Sequence, residues 1–293
     1  MRTKHLTDKV LRVVFLSAAS IAVLILLGIF LMLLVNGIKM FAEVSPANFF
    51  FSNNWNPSAY KEPSYGILSM ILSTFMVTVG AMLIAIPLGI GTAAYLAQIA
   101  PASVRDILKP TIELLAAIPS VAVGFIGIVI VGPFIAKVFG LNNGLNALNG
   151  SILLAIMSLP TIITVAEDAI RSVPNSFKEA SYALGANRWP TLIRVVIPAA
   201  YSGIIAAIIL GMGRAIGETM TVLMATGNAS ALPDSFFDPV RTMTATIAIE
   251  LGEVPYGTTH YYSLFAVGTV LFLLSLGVNL IAENIAARYR YKA

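Results

Sequence analysis

"SFKEASYALGANRWPTLIRVVIPAAYSGIIAAIILGMGRAIGETM" runs from Ser176 to Met220 and joins two segments of opposite character. The first is polar and carries helix signals. The second contains 19 consecutive uncharged residues, Val195 to Gly213, close to the roughly 20 that an α-helix needs to cross a bilayer. Arg214 and Glu218 follow that run, four positions apart. The stretch therefore predicts a polar loop followed by a membrane-spanning helix that carries two charges.

The composition extends this apolar character to the whole chain. Of its 293 residues, 58% are hydrophobic and 11% charged, and the mean hydropathy is +0.87. Soluble domains carry about 25% charged residues, so this chain has too few to cover itself in water and needs lipid around it. It contains no cysteine, which excludes disulfides and thiolate ligands, and its two histidines lie far apart, so we expect no metal site.

Six apolar stretches are long enough to cross a bilayer as helices. They cover about residues 13–35, 65–104, 114–136, 148–169, 192–226 and 263–282. Backbone polar groups must be satisfied within hydrocarbon, so we predict an all-α, polytopic membrane protein. The second stretch is longer than one span requires, and we expect Pro87 to bend or break it. The first is long for a secretory signal and lacks an obvious cleavage site, so we predict a retained helix.

The basic residues predict the orientation. Six spans place both termini on one side, where 13 of the 18 Lys and Arg residues fall; four fall on the other side, and Arg214 lies within a span. Cytoplasmic loops carry the excess of positive charge. We therefore predict a single transmembrane domain, 1–293, in the cell membrane with both termini cytoplasmic. Its cytoplasmic loop is predicted at 172–198 and its extracytoplasmic loops at 36–63 and 227–262.

The loop at 172–198 has the signals of a helical hairpin. Ser176 and Glu179 have the spacing of a capping box, in which Ser176 caps the first helix and Glu179 reaches back. Gly185 is placed to end that helix with a positive φ, and Asn187 to begin the next. Two interpretations fit: a solvated hairpin in which Glu179 is only a cap, or a knob whose small residues let a helix press against a partner.

The same loop resembles the EAA motif of ABC importer permeases, which reads EAA, three residues, G, nine residues, I, one residue, LP. Four positions match and three depart mildly: Glu179, Ala180, Gly185 and Pro198 match, and Ser181, Val195 and Ile197 differ. The resemblance implies that Glu179, Ala180, Ser181 and Gly185 couple this chain to a separate ATPase. The sequence has no GxxxxGK[ST] nucleotide-binding loop, so we expect a permease subunit that is not itself an enzyme.

Longer strings resemble the PstC-type permease subunits of phosphate ABC importers. Similar segments occur at Asn54–Val77, Ala116–Pro133 and Thr244–Glu253, and almost throughout 171–220. PstA-type sister subunits usually read Gly-Glu-Thr-Ala-Pro after the arginine, whereas this chain reads Gly-Glu-Thr-Met-Thr. The resemblance implies a type I ABC importer (MetI-like) permease fold in the bacterial inner membrane, with no cofactor of its own.

The resemblance also implies partners. They are a homologous PstA-type permease subunit, a dimer of a PstB-type ATPase, an extracytoplasmic PstS-type phosphate-binding protein, membrane lipid, and inorganic phosphate as substrate. Nucleic acid is not expected, because the basic residues are accounted for as topology signals.

Arg214 and Glu218 are the candidate substrate residues. A charge at the bilayer centre costs about 2.5–3.5 kcal/mol on insertion scales, whereas an i,i+4 ion pair on an exposed helix returns about 0.2–0.5 kcal/mol. Stability is therefore a poor reason for the pair. We hypothesise that Arg214 meets an oxyanion through two parallel hydrogen bonds, that Glu218 neutralises it when no anion is present, and that Thr219 lines the same pathway.

Several alternatives remain open. The pair can lock its helix against a neighbour, and Gly213 and Gly217 can serve ordinary small-residue packing. Sulfate and molybdate permeases carry similar Arg-x-x-Gly-Glu strings, so a sulfate/molybdate-type oxyanion permease is the alternative substrate class. An ion-coupled secondary transporter with Arg214 and Glu218 as a relay is the alternative from another class, although the sequence has no clear inverted repeat.

For five other ionisable residues we expect contact with water or headgroups and no functional role. Glu167 and Asp168 lie near the end of the fourth span, where water or headgroups reach them. Glu250, Glu253 and Arg241 lie in the second extracytoplasmic loop, where we expect them to be solvated rather than to contact a binding protein.

Overall fold

The computed structural model describes the backbone of residues 2–288 and the side chains of residues 11–285. Apart from its loops, the described chain is helical except for one short antiparallel hairpin. Some basic residues that contribute to the predicted orientation have side chains outside the described part: Arg2, Lys4, Lys9, Arg288, Arg290 and Lys292.

The amino-terminal half contains the first three spans and a small subdomain between the first two. Its elements are α1 Arg2–Lys39, a 3₁₀ turn Met40–Ala42, α2 Pro46–Phe51, β1 Trp55–Asn56, β2 Ser64–Tyr65, α3 Leu68–Gln98, α4 Ala102–Ala116, α5 Ser120–Ile126, a π-helix Gly127–Val131 and α6 Gly132–Phe139.

The carboxy-terminal half contains the remaining spans and the predicted coupling hairpin. Its elements are α7 Ala147–Arg171, α8 Asn175–Ala183, α9 Arg188–Thr191, a second π-helix Leu192–Val196, α10 Ile197–Ala199, α11 Tyr201–Gly217, α12 Met220–Ala225, α13 Met243–Glu250 and α14 Thr259–Arg288.

Five helical stretches of the described chain are long and apolar enough to cross a membrane, and a bent pair makes a sixth. The five are Leu11–Ala42, Leu68–Gln98, Ser120–Phe139, Ala147–Arg171 and Thr259–Ile285, and the pair is Arg188–Ala199 with Tyr201–Gly217, bent by 71°. The predicted number of six is reached when the pair is one span. One detail was wrong: the third span begins at Ser120, because residues 102–116 form the separate helix α4. At Pro87 the helix α3 is not broken.

Prolines explain where the helical backbone departs from α geometry. Each π-helix is followed, two residues after its end, by a proline: Pro133 after the first and Pro198 after the second. Proline lacks an N–H and its ring crowds the carbonyl four residues earlier, so a widened turn just before it relieves both problems. After Pro198 the chain bends at Ala200, which divides the fifth span.

The core is built around the packing of α3 against α7. Small residues bring the two helices together: a Cβ on Gly80 would lie 2.5 Å from Ser151 Oγ, and one on Gly89 would lie 2.6 Å from Ile162 Cγ2. Helix α11 packs on the same α7, and α1 lies against α14 at the periphery. The side chains of α1 are exposed along nearly all of its described length, as expected of a helix surrounded by lipid.

Candidate functional site

The fifth span is held close to α7 by two glycines of α11. A Cβ on Gly203 would lie 2.4 Å from Ala169 Cβ, and one on Gly211 would lie 2.5 Å from Ile162 Cγ1. The hydroxyl of Ser158 also donates to the carbonyl of Gly211 at 3.4 Å. These contacts fix which face of α11 is buried in the chain and therefore which face stays open.

Arg214 lies on the open face of α11. Its side chain is exposed, and it makes no hydrogen bond or ion pair with any side chain or backbone group of residues 11–285. Leu210, one turn earlier, and Gly217, three residues later, are exposed on the same stripe. Residues 11–285 therefore supply no counter-charge to this guanidinium, which lies near the end of a membrane-spanning helix.

Glu218 does not form the predicted ion pair with Arg214. Helix α11 ends at Gly217, and Glu218 has an extended backbone (φ −70°, ψ 130°), which removes its side chain from the i,i+4 face. Its Oε1 instead accepts the backbone N–H of Thr221 at 3.2 Å, and its carbonyl accepts the hydroxyl of Thr244 at 3.0 Å. A carboxylate at the start of a helix satisfies an otherwise unpaired N–H and interacts favourably with the helix dipole. The proposed neutralising role was therefore wrong for this conformation.

The break between α11 and α12 packs against the start of the third span. Thr219 is half-buried at the break, and its hydroxyl donates to the carbonyl of Gly217 at 3.3 Å. The buried Thr221 donates its hydroxyl to the carbonyl of Ser120 at 3.1 Å. Sequence reasoning missed Thr221, Ser120 and Thr244. The only local signal was the string of threonines around Glu218 and in the later loop.

Within the described chain, Gly213 and Gly217 do not serve the close packing that was their alternative explanation. A Cβ on Gly213 would make an ordinary 3.7 Å contact with Asn279 Oδ1, and one on Gly217 would meet nothing within 4 Å in the described chain. The helix-packing glycines of this span are Gly203 and Gly211.

The predicted hairpin is present, but its first helix begins earlier than the capping box requires. Helix α8 starts at Asn175 with Pro174 as the N-cap residue and no capping side chain, so Ser176 lies inside the first turn. The predicted capping box was wrong because proline, with its fixed φ and missing N–H, already suits the start of a helix. Asn187 does precede α9 as predicted.

The end of α8 is as predicted. Gly185 has φ +84°, a conformation that costs glycine little and other residues more. The N–H groups of Gly185 and Ala186 donate to the carbonyls of Tyr182 and Ser181 at 2.9 and 3.2 Å, closing a Schellman motif.

The candidate coupling residues differ in their exposure to solvent. Glu179, Ala180 and Gly185 are exposed, whereas Ser181 is buried, and its hydroxyl lies 2.8 Å from that of Thr191. Ser181 therefore holds the two halves of the hairpin together. Sequence reasoning missed Leu184, an apolar side chain of the hairpin that is 90% exposed.

An ion-pair network anchors the base of the hairpin. Glu167 of α7 is 1% exposed, with Lys109 Nζ 3.2 Å from its Oε2 and Arg171 Nη1 3.4 Å from its Oε1. Asp168 is exposed and reaches Lys109 at 3.8 Å. The expectation of a solvated carboxylate was wrong for Glu167, because α4 covers this end of α7 and supplies the lysine.

A second network lies at the opposite end of the molecule. Glu250 accepts from Trp55 Nε1 at 3.0 Å and from Arg241 Nη1 at 2.8 Å, and His260 Nε2 lies 2.8 Å from its Oε2. The Glu250 side chain is 15% exposed, so Glu250 and Arg241 are partners of each other rather than solvated groups. Glu253 is exposed, as expected.

Comparisons with known proteins indicate a membrane transport component. A family model described as "Binding-protein-dependent transport system inner membrane component" matches residues 85–291. The "Probable ABC transporter permease protein YqgH" of Bacillus subtilis is 42% identical over 273 residues, which cover 92% of this chain and 86% of that protein. The "Phosphate transport system permease protein PstC" of Mesorhizobium japonicum is 36% identical over 290 residues, which cover 92% and 88%.

A solved structure has a similar fold. A chain of the MetNI methionine ABC transporter, in inward-facing conformation, aligns with a TM-score of 0.57 over 76% of this chain and 94% of its own length. The two sequences are 19% identical, so the likeness concerns the fold alone.

Proposed function

This chain belongs to the family of binding-protein-dependent transport system inner membrane components, and from that premise we propose that it carries inorganic phosphate across the membrane. The chain is an ABC importer permease, a multi-pass inner-membrane subunit that is not itself an enzyme. Its all-α fold of the MetI-like type is as predicted. Family membership implies an ATPase and a binding protein as partners.

Two observations support phosphate as the substrate. The Mesorhizobium relative, whose printed name is that of a phosphate permease, covers 92% of this chain. In addition, Arg214 offers a planar, permanently charged group suited to bidentate contact with a tetrahedral oxyanion. In this proposal the partners are a PstA-type permease subunit, two PstB-type ATPase subunits and a PstS-type binding protein, and both termini are cytoplasmic.

The observation that carries the pathway assignment is the isolation of Arg214. Helix α11 buries the face of Gly203 and Gly211 against α7 and leaves Arg214 exposed, without a partner in the described chain. A charge directed at lipid costs about 2.5–3.5 kcal/mol. The open stripe therefore faces a second permease subunit or an aqueous pathway between the two. Glu218 and Thr219 shape that pathway by breaking the helix just after the arginine.

The hairpin at 172–198 supplies the proposed ATPase contact. Glu179, Ala180 and Gly185 present polar and backbone groups, and Leu184 presents an apolar anchor for a partner groove. Ser181 acts within the hairpin, through Thr191. The ATPase would move the hairpin as a unit, because the Glu167 network ties its base to α4.

The decisive test of the pathway is Arg214→Gln in the complete transporter, reconstituted in vesicles with its co-purifying partners. We expect phosphate uptake to fall at least tenfold while subunit assembly is retained. Arg214→Lys should restore part of the uptake, because it keeps the charge but not the two-pronged geometry. Lys137→Gln, which removes an exposed cation at the end of α6, is the matched control and should transport normally.

Each alternative has its own outcome in this experiment. Normal uptake by Arg214→Gln would refute the pathway role. Loss of assembly would show instead that the arginine joins helices or subunits. The substrate is tested separately by the ATPase activity of the native complex: stimulation by sulfate and not by phosphate would overturn the phosphate assignment, and transport without ATP would overturn the class.

A further inference from the structure

A cavity of about 160 Å³ lies between the hairpin and the body of the protein. One wall is the end of α3, and the other is formed by α8 together with the start of the bent fifth span. Two cations line it, Lys178 and Arg188. We call this space the hairpin cavity. It is separate from the open stripe of Arg214.

Neither cation of the hairpin cavity is neutralised by the described residues. Lys178 Nζ donates to the neutral amide oxygen of Asn175 at 3.4 Å, and Arg188 makes no hydrogen bond or ion pair within residues 11–285. No carboxylate lines the cavity. Two positive charges therefore converge on one space without a counter-ion from the described chain.

Most of the remaining lining surface is apolar, although the polar side chains Gln98, Tyr182 and Thr191 also contribute to it. Leu192 and Val196 are buried side chains of its wall, and Ile99 closes it from the end of α3. Trp189, which is exposed, lies at the same edge. Tryptophan and basic side chains beside an apolar surface are typical of the boundary between hydrocarbon and headgroups. The end of α3 and the start of the fifth span place the hairpin cavity at that boundary.

We propose that the hairpin cavity binds the phosphate headgroup of an anionic phospholipid, with Lys178 and Arg188 on the headgroup and the apolar wall against the glycerol and upper acyl chain. Basic pockets between helices at a membrane surface attract such headgroups. Free phosphate is also an anion but has nothing to place against Ile99, Leu192 and Val196. The inference rests on the proposed placement of the hairpin at the cytoplasmic face.

A bound lipid would connect the end of α3 to both halves of the hairpin. Lys178 belongs to α8, Arg188 belongs to α9, and Ile99 follows α3. Anionic lipid would therefore favour one position of the element that receives the ATPase, and transport would depend on lipid composition in addition to phosphate and ATP.

The test is native mass spectrometry of the purified transporter complex, titrated with phosphatidylglycerol or with phosphatidylcholine. We expect the native complex to retain phosphatidylglycerol preferentially. The double variant Lys178→Gln/Arg188→Gln should bind it about thirtyfold more weakly, about fivefold for each cation removed, from ~1 kcal/mol per basic residue near an anionic surface. Arg194→Gln removes an exposed cation of the same segment that does not line the cavity, and it should bind phosphatidylglycerol within twofold of the native complex.

Three results would overturn the proposal. The double variant could retain phosphatidylglycerol as the native complex does, or inorganic phosphate at equal concentration could displace the lipid, which would make this a site for the free anion. If the double variant does not assemble, brominated phosphatidylglycerol is added to the native complex and to Trp189→Phe; equal quenching of the two would also refute the site. Phosphate uptake by the native complex tests the proposed function independently, because uptake can persist when specific lipid binding is absent.

Discussion

Replacement of Glu250 by glutamine should lower the free energy of unfolding of the permease. Glu250 ends α13 and joins three other parts of the chain: Trp55 of β1, Arg241 of the preceding loop, and His260 at the start of α14. The side chains of Arg241 and His260 are 19% and 15% exposed, so water replaces a lost partner poorly.

The magnitude follows from those contacts. A hydrogen bond to a charged group contributes about 1.5–3 kcal/mol, and removing one member of a fully buried ion pair costs about 3–5 kcal/mol. Glutamine keeps one acceptor oxygen, and Arg241 keeps its 3.1 Å bond from Nε to the carbonyl of Asn228. Because the pair is also partly exposed, we expect Glu250→Gln to lower the free energy of unfolding by about 2–3 kcal/mol.

The assay is thermal or denaturant unfolding of the purified complex, with Glu253→Gln as the matched control. Glu253 lies three residues later, is exposed, and makes no side-chain hydrogen bond or ion pair within the described chain, so its substitution should change stability by less than about 0.5 kcal/mol. Indistinguishable unfolding of the two variants would refute the reasoning. A Glu250→Gln complex of native stability that no longer transports would show that the carboxylate serves a binding contact instead.

Two further predictions concern the hairpin. Glu167→Gln should lower the free energy of unfolding by about 1–3 kcal/mol, because it leaves Lys109 and Arg171 without their buried carboxylate, although both cations can regain water. Asp168→Asn is the exposed control, and equal denaturant midpoints for the two variants would contradict the prediction. Leu184→Asp should leave the unfolding temperature unchanged and weaken co-purification of the ATPase at least tenfold, about 1.4 kcal/mol; unchanged ATPase binding would exclude Leu184 as the anchor.

The spans could be predicted because their signal is local. Residues 148–169 and 263–282 lie wholly inside α7 and α14, and only the ends differ. The sequence also contains a local feature at the bend of the fifth span, because Pro198 interrupts an apolar run. The widened turn that precedes it and the division of the span at Ala200 follow from how the freed carbonyls are accommodated, which a hydropathy pattern does not contain.

In the hairpin, too, a local feature could be predicted from the sequence and a tertiary contact could not. Gly185 was predictable because a positive φ at a helix end is a property of one residue and its neighbours. Ser181 was not, because its hydroxyl finds Thr191 only after the chain has turned back on itself. A motif position that looks like part of a docking surface is therefore part of the hairpin's own interior.

The sequence by itself determined that this chain lies in lipid, that it crosses the membrane with helices, and that an arginine occurs near the end of an apolar span. Hydrophobic burial and helix termination are read from neighbouring residues, so a linear pattern suffices for them. Only the tertiary structure decided the partners of the charges. Glu218 accepts a hydrogen bond at the start of α12 instead of pairing with Arg214. Glu250 accepts a hydrogen bond from Trp55, which lies 195 residues away in the sequence. Ion pairs form between whichever groups packing brings within a few ångströms, and packing is set by contacts between helices distant in the chain.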